Sequence, residues 1–300
     1  MVGELAALGA ALLWAVGSLL LKPLSARFHP FFINQIRLYA AVSLFAFYLL
    51  ATGGFAELAK VNYGTVTFAI MGTWLGVGVG DSLFILSLRY LDLSKAYPLS
   101  NCGYPLVTVA ISLLFLNEEV KGLALFGFLL VLAGLYFVAF PSGPWRARFS
   151  FRASKEKTGL VLVLLTILAW GISILGIKKG TVGLEIPVAN FIRYTGTAIL
   201  LLPFSLAPGA RLSAQKIDGR ALVLTCLSGI LGFAIAGIFF IIALRESGAA
   251  VTSVLSSTSP LFLLPMSVFF LKEKVTLKLL IGVILSVLGI CFVFLPALIF

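Results

Sequence analysis

Two stretches of the chain carry the same residues at the same spacing. Residues 14–37 read WAVGSLLLKPLSARFHPFFINQIR, and residues 170–193 read WGISILGIKKGTVGLEIPVANFIR. An offset of 156 residues places Trp14 on Trp170 and brings the two closing arginines into register. A fixed offset between rare residue types predicts an internal duplication of the chain.

The register continues well beyond these stretches. After one residue drops out, an offset of 155 aligns prolines, glutamates and glycines of the two copies. The aligned pairs are Pro105 and Pro260, Glu118 and Glu273, Gly127 and Gly282, and Gly134 and Gly289. The duplication therefore extends over both halves of the chain.

The composition is that of a membrane protein. Of the 300 residues, 61% are hydrophobic and 11% are charged, and the mean hydropathy is +1.13. A water-soluble domain carries far more charge, and a helix that crosses the hydrocarbon needs roughly 20 apolar residues. We therefore predict an all-α integral membrane protein with ten transmembrane helices. The predicted spans are 5–22, 33–52, 65–87, 94–117, 121–140, 158–177, 187–207, 220–244, 248–271 and 275–298.

Each copy of the duplicated unit contains five predicted spans. Because five is an odd number, the second copy enters the membrane from the opposite side, so the chain is predicted to contain two inverted five-helix repeats. The predicted boundaries are 1–141 for the first repeat, 142–157 for a basic connector and 158–300 for the second repeat. Inverted repeats are frequent in secondary transporters, where two half-structures open a midplane site alternately to each side.

The basic residues are distributed unequally between the two sides of the predicted bundle. Most of the 22 Lys and Arg follow odd-numbered spans, with the largest group in the connector 142–157. Cytoplasmic loops carry an excess of Lys and Arg, so this count places the connector in the cytoplasm and both termini outside. In a membrane protein the net charge of +11 reports topology and attraction to anionic lipid. We therefore predict membrane lipid as a partner and no nucleic acid.

Several repeated positions carry a family resemblance. They are Trp14, Lys22, Pro30 and Arg37 with Trp170, Lys178, Pro187 and Arg193, and Tyr104-Pro105…Leu116-Asn117-Glu118 with Ser259-Pro260…Leu271-Lys272-Glu273. This pattern resembles the EamA domain family of the drug/metabolite transporter superfamily. The resemblance implies a ten-helix exporter of a small metabolite, such as an amino acid, with helices 1 to 4 and 6 to 9 around a central cavity. It also implies cytoplasmic termini, in disagreement with the charge count.

Asp81 is the clearest candidate for a functional residue. An ionisable group at bilayer depth costs about 2.5 to 3.5 kcal/mol and usually lines a polar path. At 100° per residue, Trp74 and Asp81 lie opposite a stripe of glycines that suits close helix packing. This stripe consists of Gly72, Gly76 and Gly80. Two interpretations are open: Asp81 exchanges a proton or binds a substrate ammonium group at the cavity, or it forms a structural pair with a neighbouring helix.

Polar side chains form two further stripes, in spans 4 and 9, and the repeat offset maps one stripe onto the other. Their members are Tyr97, Ser100 and Asn101 in span 4 and Ser253, Ser256 and Ser257 in span 9. Prolines interrupt the same spans and free backbone carbonyls that are potential substrate ligands. The alternative is that the hydroxyl groups bond within their own helices.

The repeated arginines, tryptophans and glutamates each allow two interpretations. Arg37 and Arg193 either bind a carboxylate or phosphate of the substrate or snorkel to the membrane interface. Trp14 and Trp170 either wall the cavity or pack in the core. The glutamates that end spans 4 and 9, Glu118 and Glu273, are expected to cap the next spans or to pair with the lysines beside them.

Enzymatic chemistry is not expected. The only histidine is His29, and the sequence contains no HExxH, GxSxG or Walker pattern, whereas catalysis needs clustered reactive side chains. The three cysteines are far apart, so we predict neither a metal nor a cofactor.

The sequence predicts a secondary transporter of a small-molecule substrate. We expect it in a prokaryotic plasma membrane, working by alternating access. Proton or ion coupling and homodimer formation stay open, and a flippase of a lipid or lipid-linked precursor is the alternative.

The orientation can be tested by cysteine labelling of the connector. In a variant without the native cysteines, the charge count predicts that Ser142→Cys stays unlabelled by a membrane-impermeant maleimide in intact cells, because the connector faces the cytoplasm. Asn62→Cys, in the connection after span 2, is the control that should react. Labelling at position 142 with protection at position 62 would show that the charge count gives the wrong orientation.

Overall fold

The regular secondary structure is all helical in the residues that the computed structural model describes, which are 2–116, 122–139, 151–247, 252 and 255–299. These ranges contain no β-strand. In chain order the main helices are α1 Val2–Ser25, α2 Pro30–Thr52, α3 Tyr63–Ser87, α4 Leu93–Leu116, α5 Gly122–Ala139, α6 Phe151–Gly180, α7 Ile186–Ser205, α8 Gly219–Glu246, α9 Ser259–Leu271 and α10 Leu277–Ile299. Shorter helices, Gly54–Lys60 and Pro208–Gln215, lie in the connections after α2 and α7.

Each of these helices lies on one predicted span. One difference is at α6, which begins at Phe151 and not at residue 158. The last seven residues of the predicted connector, 151–157, therefore belong to this helix. The early part of predicted span 9 lies mostly outside the described residues.

Several helices are suited to crossing a membrane. In the described part of the chain, five are long and apolar enough: α1, α2, α3, α8 and the Lys155–Gly180 portion of α6. A sixth follows if α7 and Pro208–Gln215, which are bent by 98° at their junction, count as one span. The described parts of α5, α9 and α10 are shorter apolar helices. These lengths and compositions identify a multi-pass membrane protein.

Two helices contain a wide turn at equivalent positions. Residues Trp74–Asp81 of α3 and Ile230–Ile235 of α8 are π-helical, and their first residues are 156 apart in the sequence. A π-helical turn has more residues per turn than an α-helix and often marks a functional site. It also changes which side chains share a face of α3.

The glycine stripe of α3 packs against α6, as the sequence predicts. A Cβ atom on Gly72 would lie 2.7 Å from the backbone of Gly176, and one on Gly80 would lie 2.6 Å from the Trp170 ring. A second close contact joins α5 and α10, where a Cβ on Gly134 would lie 2.5 Å from the carbonyl oxygen of Gly282. Small residues thus allow these helix backbones to approach closely.

Arginine side chains cap the C-terminal ends of α1 and α6. Arg89 donates from Nε to the carbonyl of Ser25 at 2.6 Å and from Nη2 to that of Phe28 at 2.7 Å. The repeat counterpart, Arg245, donates to the carbonyls of Thr181 and Leu184. Arg89, Ser25 and Phe28 are each 156 residues from Arg245, Thr181 and Leu184, respectively. A cation at a helix C-terminus satisfies carbonyls that have no partner within the helix.

Glu273 caps the N-terminus of α4, whereas the sequence predicted that it caps the next helix along the chain. Its two carboxylate oxygens accept hydrogen bonds from the backbone N–H groups of Leu93 at 2.8 Å and Ser94 at 2.7 Å. The expected cap of the following span is therefore wrong. The chain turns at Lys272, whose φ is +55°, and Glu273 reaches the N-terminus of α4, where the backbone donors and the helix dipole favour an anion. Glu118 lies outside the described residues.

Removing the charge of Glu273 should destabilise the bundle. We expect Glu273→Gln to lower stability by about 1 to 2 kcal/mol, because a charged acceptor of two helix N–H groups is lost. The measurement is the midpoint of thermal unfolding in detergent, which should fall by about 2 to 4 °C. Glu185→Gln is the matched control, because Glu185 precedes α7 without a side-chain cap hydrogen bond. Equal midpoints for both variants would contradict the cap.

Candidate functional site

A cavity of about 150 Å³ lies between α1, α2, α3, α4, α6, α7 and α8. Most of its lining positions occur in pairs that are 156 residues apart. These pairs are Trp14 and Trp170, Gly17 and Ser173, Ser18 and Ile174, Leu21 and Ile177, Arg37 and Arg193, Gly76 and Gly232, Val77 and Phe233, Asp81 and Gly237, and Phe84 and Phe240. The two halves of the chain therefore contribute matching surfaces to one cavity.

Asp81 connects three helices at the cavity wall. Its Oδ2 accepts a hydrogen bond from Nη1 of Arg37 in α2 at 3.0 Å, and its Oδ1 accepts one from Nε1 of Trp170 in α6 at 2.9 Å. The Asp81 side chain is 15% exposed and that of Arg37 is 6% exposed. Asp81 thus lines the cavity and also forms the structural pair that was the second interpretation.

Arg37 has several partners among the described residues, although its buried Nε has no hydrogen-bond partner there. Besides Asp81, Nη1 donates to Oδ1 of Asn34 at 2.8 Å, and the guanidinium carbon lies 3.9 Å from the centre of the Phe233 ring. Asn34 in turn donates to the carbonyl of Val77 in the wide turn of α3 at 2.6 Å. A side chain in this position does not reach the membrane interface, so snorkelling is the wrong interpretation of Arg37.

Arg193 has an equivalent asparagine partner but differs from its counterpart in its other contacts. Its Nε donates to Oδ1 of Asn190 at 2.8 Å, and its Nη2 donates to the hydroxyl of Tyr194 at 2.5 Å. In the place of Asp81 the second half has Gly237. Arg193 is 3% exposed, so snorkelling is wrong for this arginine as well. Among the described residues no carboxylate forms an ion pair with Arg193.

The two repeated tryptophans both line the cavity. Nε1 of Trp14 donates to the carbonyl of Gly232 in the wide turn of α8 at 3.0 Å, whereas Trp170 donates to Asp81. The ring of Trp14 lies 5.2 Å from that of Phe240, and the ring of Trp170 lies 5.5 Å from that of Phe84. Both rings therefore line the cavity, and each also packs against a phenylalanine.

The polar stripe of α4 reaches the cavity only in part. Tyr97 and Asn101 line it, and Ser259 of α9 donates from its hydroxyl to Oδ1 of Asn101 at 3.3 Å. Ser100 is buried away from the lining.

The predicted stripe of span 9 does not reach the described lining of the cavity. Ser256 and Ser257 are buried and do not line the cavity, although Ser257 lies beside Tyr104, which does. Ser253 lies outside the described residues.

Trp74 is also absent from the described lining, which corrects the prediction that it shares a face with Asp81. That prediction used the angular step of an α-helix. The π-helical turn from Trp74 to Asp81 has a smaller step per residue, so the two side chains point in different directions. The ring of Trp74 instead packs beside Gly78 of its own helix, 3.0 Å from where a Cβ of that residue would lie.

Several site residues were missed, although the sequence contains a signal for some of them. Asn34 and Asn190 precede the two arginines by three residues, one helical turn, in both copies. An Asn-x-x-Arg pair at the same repeat position indicates a local hydrogen bond on one helix face. Tyr194 and Phe233 carry no such signal, because their repeat counterparts are Leu38 and Val77.

Comparisons with known proteins agree with this architecture. The model of the EamA-like transporter family matches residues 1–140 and 157–295. An uncharacterised transporter of Archaeoglobus fulgidus is 27% identical over 243 residues, which are 79% of this chain and 79% of that protein. An uncharacterised transporter of Clostridium kluyveri is 31% identical over 100 residues, which are 33% of this chain and 32% of that protein.

A solved structure shares the fold. It is described only as "Crystal structure of protein", covers 98% of this chain and 97% of its own, and has a TM-score of 0.67 at 18% identity. The family match spans both halves of the chain that build the cavity. The chain therefore belongs to the EamA-like transporter family, and it is a multi-pass membrane transporter of the drug/metabolite type.

Proposed function

We propose that the protein is a secondary transporter of a small metabolite that works by alternating access between two inverted five-helix repeats. The supporting observation is the cavity, whose lining positions are matched in pairs 156 residues apart. Two half-structures with matching surfaces can exchange their conformations and open the same site first to one side and then to the other. The repeats are those predicted from the sequence, 1–141 and 158–300.

Contacts within each half support the repeat relationship. Arg89 caps the end of α1 as Arg245 caps the end of α6, and a wide turn occurs in α3 as in α8. The contacts between halves match as well, because α1 packs on α8 and α6 packs on α3. Equivalent helices therefore have equivalent neighbours, as any two-fold relationship between the halves requires; the odd number of predicted spans in each half is the reason to propose an axis in the membrane plane.

The size of the cavity favours a metabolite over a lipid. A cavity of about 150 Å³ accepts a benzene-sized molecule, whereas drug-sized ligands occupy about 300 Å³ or more. A flippase would need a larger groove for a lipid or lipid-linked precursor. Export across a prokaryotic plasma membrane is implied by the family resemblance, and the named relatives come from an archaeon and a bacterium.

Asp81 is the proposed coupling residue. Its ionised carboxylate holds Arg37 of the first half and accepts from Trp170 of the second half. Protonation removes the charge that neutralises Arg37 and weakens the acceptor for Trp170. A bound proton therefore loosens the link between α6 and the pair α2 and α3. Gly237 at the counterpart position cannot do this, so the coupling step belongs to one half.

Transport in proteoliposomes tests this mechanism. Radiolabelled solutes from a panel of amino acids, small acids, amines and sugars are offered with and without a pH gradient, and the label retained by the vesicles reports which of them move. We expect at least one solute to move and its transport to depend on the gradient. Asp81→Asn should lose most of the gradient dependence but keep exchange of solute across the membrane. Asp92→Asn, an exposed carboxylate, is the control and should behave as the parent protein does.

Two results would contradict the proposal. Full gradient dependence in Asp81→Asn would remove this residue from coupling. Movement of a fluorescent phospholipid between leaflets, faster than in protein-free vesicles and without transport of any panel solute, would favour the flippase.

A further inference from the structure

The two buried arginines of the cavity differ in one respect that the repeat makes visible. Arg37 is neutralised by Asp81, but the counterpart of Asp81 is Gly237. A Cβ atom built on Gly237 would lie 3.1 Å from Nη2 of Arg193. A carboxylate side chain at this position would therefore stand directly against Arg193, as Asp81 stands against Arg37.

The partners of Arg193 are neutral. Nε of Arg193 donates a hydrogen bond to Asn190, and Nη2 of Arg193 donates one to Tyr194. Within the described residues, no hydrogen bond involves Nη1 of Arg193. The Tyr194 hydroxyl donates onward to the carbonyl of Phe233 at 3.0 Å. These contacts fix the guanidinium but do not neutralise it. A buried charge without an opposite charge is costly in the membrane, so this side chain is poised for an anionic ligand.

We propose that Arg193 binds the carboxylate of the transported solute, which takes the place that the missing counterpart of Asp81 would occupy beside Gly237. This inference rests on the transport function proposed above. A guanidinium binds a carboxylate well because its planar fork matches the two oxygens. While Asp81 is ionised it neutralises the nearby Arg37, which then carries no equivalent attraction for a second carboxylate. The expected solute therefore has a single acidic group.

The other residues that line the cavity indicate the chemistry of the rest of the solute. Besides the arginines, the cavity is lined by aromatic residues of both halves. They are Trp14, Phe84, Trp170, Phe233 and Phe240. Such walls favour an apolar body, and the volume of about 150 Å³ restricts its size. The substrate class is a small monocarboxylate with an apolar chain, either an amino acid or a simple organic acid.

Matched acids and amides test the recognition of the carboxylate. The purified protein in lipid nanodiscs is titrated with leucine, leucinamide, 4-methylpentanoate and 4-methylpentanamide, and the fluorescence of the cavity tryptophans reports binding. We expect each acid to bind about 10- to 100-fold more tightly than its amide, because a charge-assisted hydrogen bond is lost in the amide. Binding of leucine alone would identify amino acids, and equal binding of both acids would identify organic acids generally.

An internal carboxylate should block the site. In Gly237→Asp combined with Tyr194→Phe, the aspartate pairs with Arg193 and competes with the solute. The phenylalanine removes a hydroxyl that would otherwise lie 2.7 Å from the new Cβ. The matched control is Gly237→Asn with Tyr194→Phe, which has the same shape and no charge. We expect the Asp variant to bind the acids about 10- to 100-fold more weakly than the Asn variant.

Arg193→Gln should show the same loss if it folds, and the Asp and Asn pair remains decisive if it does not. Equal affinity of the Asp and Asn variants for the acids would overturn the proposal. So would amides that bind as tightly as acids, or an absence of acid binding across the panel. These failures differ from failure of the transport function: a solute without a carboxylate that crosses the membrane refutes the role of Arg193 alone, whereas no transported solute refutes both.

Discussion

A charge that is buried in the membrane needs an opposite charge or a ligand, and this requirement organises the centre of the protein. Asp81 meets it for Arg37, and the same carboxylate accepts a hydrogen bond from Trp170. Three helices from both halves are thereby joined at one group. Because Arg37 is buried and Asp81 and Trp170 are only partly exposed, water competes weakly for the link, and loss of the carboxylate charge changes both of its contacts together.

The second constraint is the repeat itself. Two copies of one unit place arginines, tryptophans and wide helical turns at matching positions around the cavity. A symmetric frame alone would give two identical half-sites. The exchange of Asp81 for Gly237 breaks this symmetry at one position, so one arginine is neutralised by the chain and the other faces the cavity without a carboxylate among the described residues. We infer that coupling and substrate binding are divided between the halves in this way.

The sequence was sufficient for the helices and for much of the site. Hydropathy located the helices, because each was marked by a long apolar run, and the offset alone pointed to Trp14, Trp170, Arg37 and Arg193, which line the cavity. The pairing of Arg37 with Asp81 was not predicted, since the two residues are 44 positions apart and only packing brings them together. The position of Trp74 was predicted wrongly because no residue pattern announced the π-helical turn. Glu273 was assigned to the nearer helix, whereas the chain reversal at Lys272 directs it to α4.

The exchange of conformations between the halves is tested most directly by distances at the two ends of the bundle. At one end α1 and α8 meet, where Arg27 and Asp218 form an ion pair at 2.6 Å, and spin labels at the exposed Ala26 and Gly219 report their separation. At the other end α6 and α3 meet, and the repeat-related exposed positions Val182 and Tyr63 do the same. In lipid nanodiscs, double electron–electron resonance is measured at acidic and at alkaline pH. Between the two pH values, the distance between the labels at one end should lengthen while the distance at the other end shortens. Lengthening of both distances together, or no change in either, would contradict alternating access.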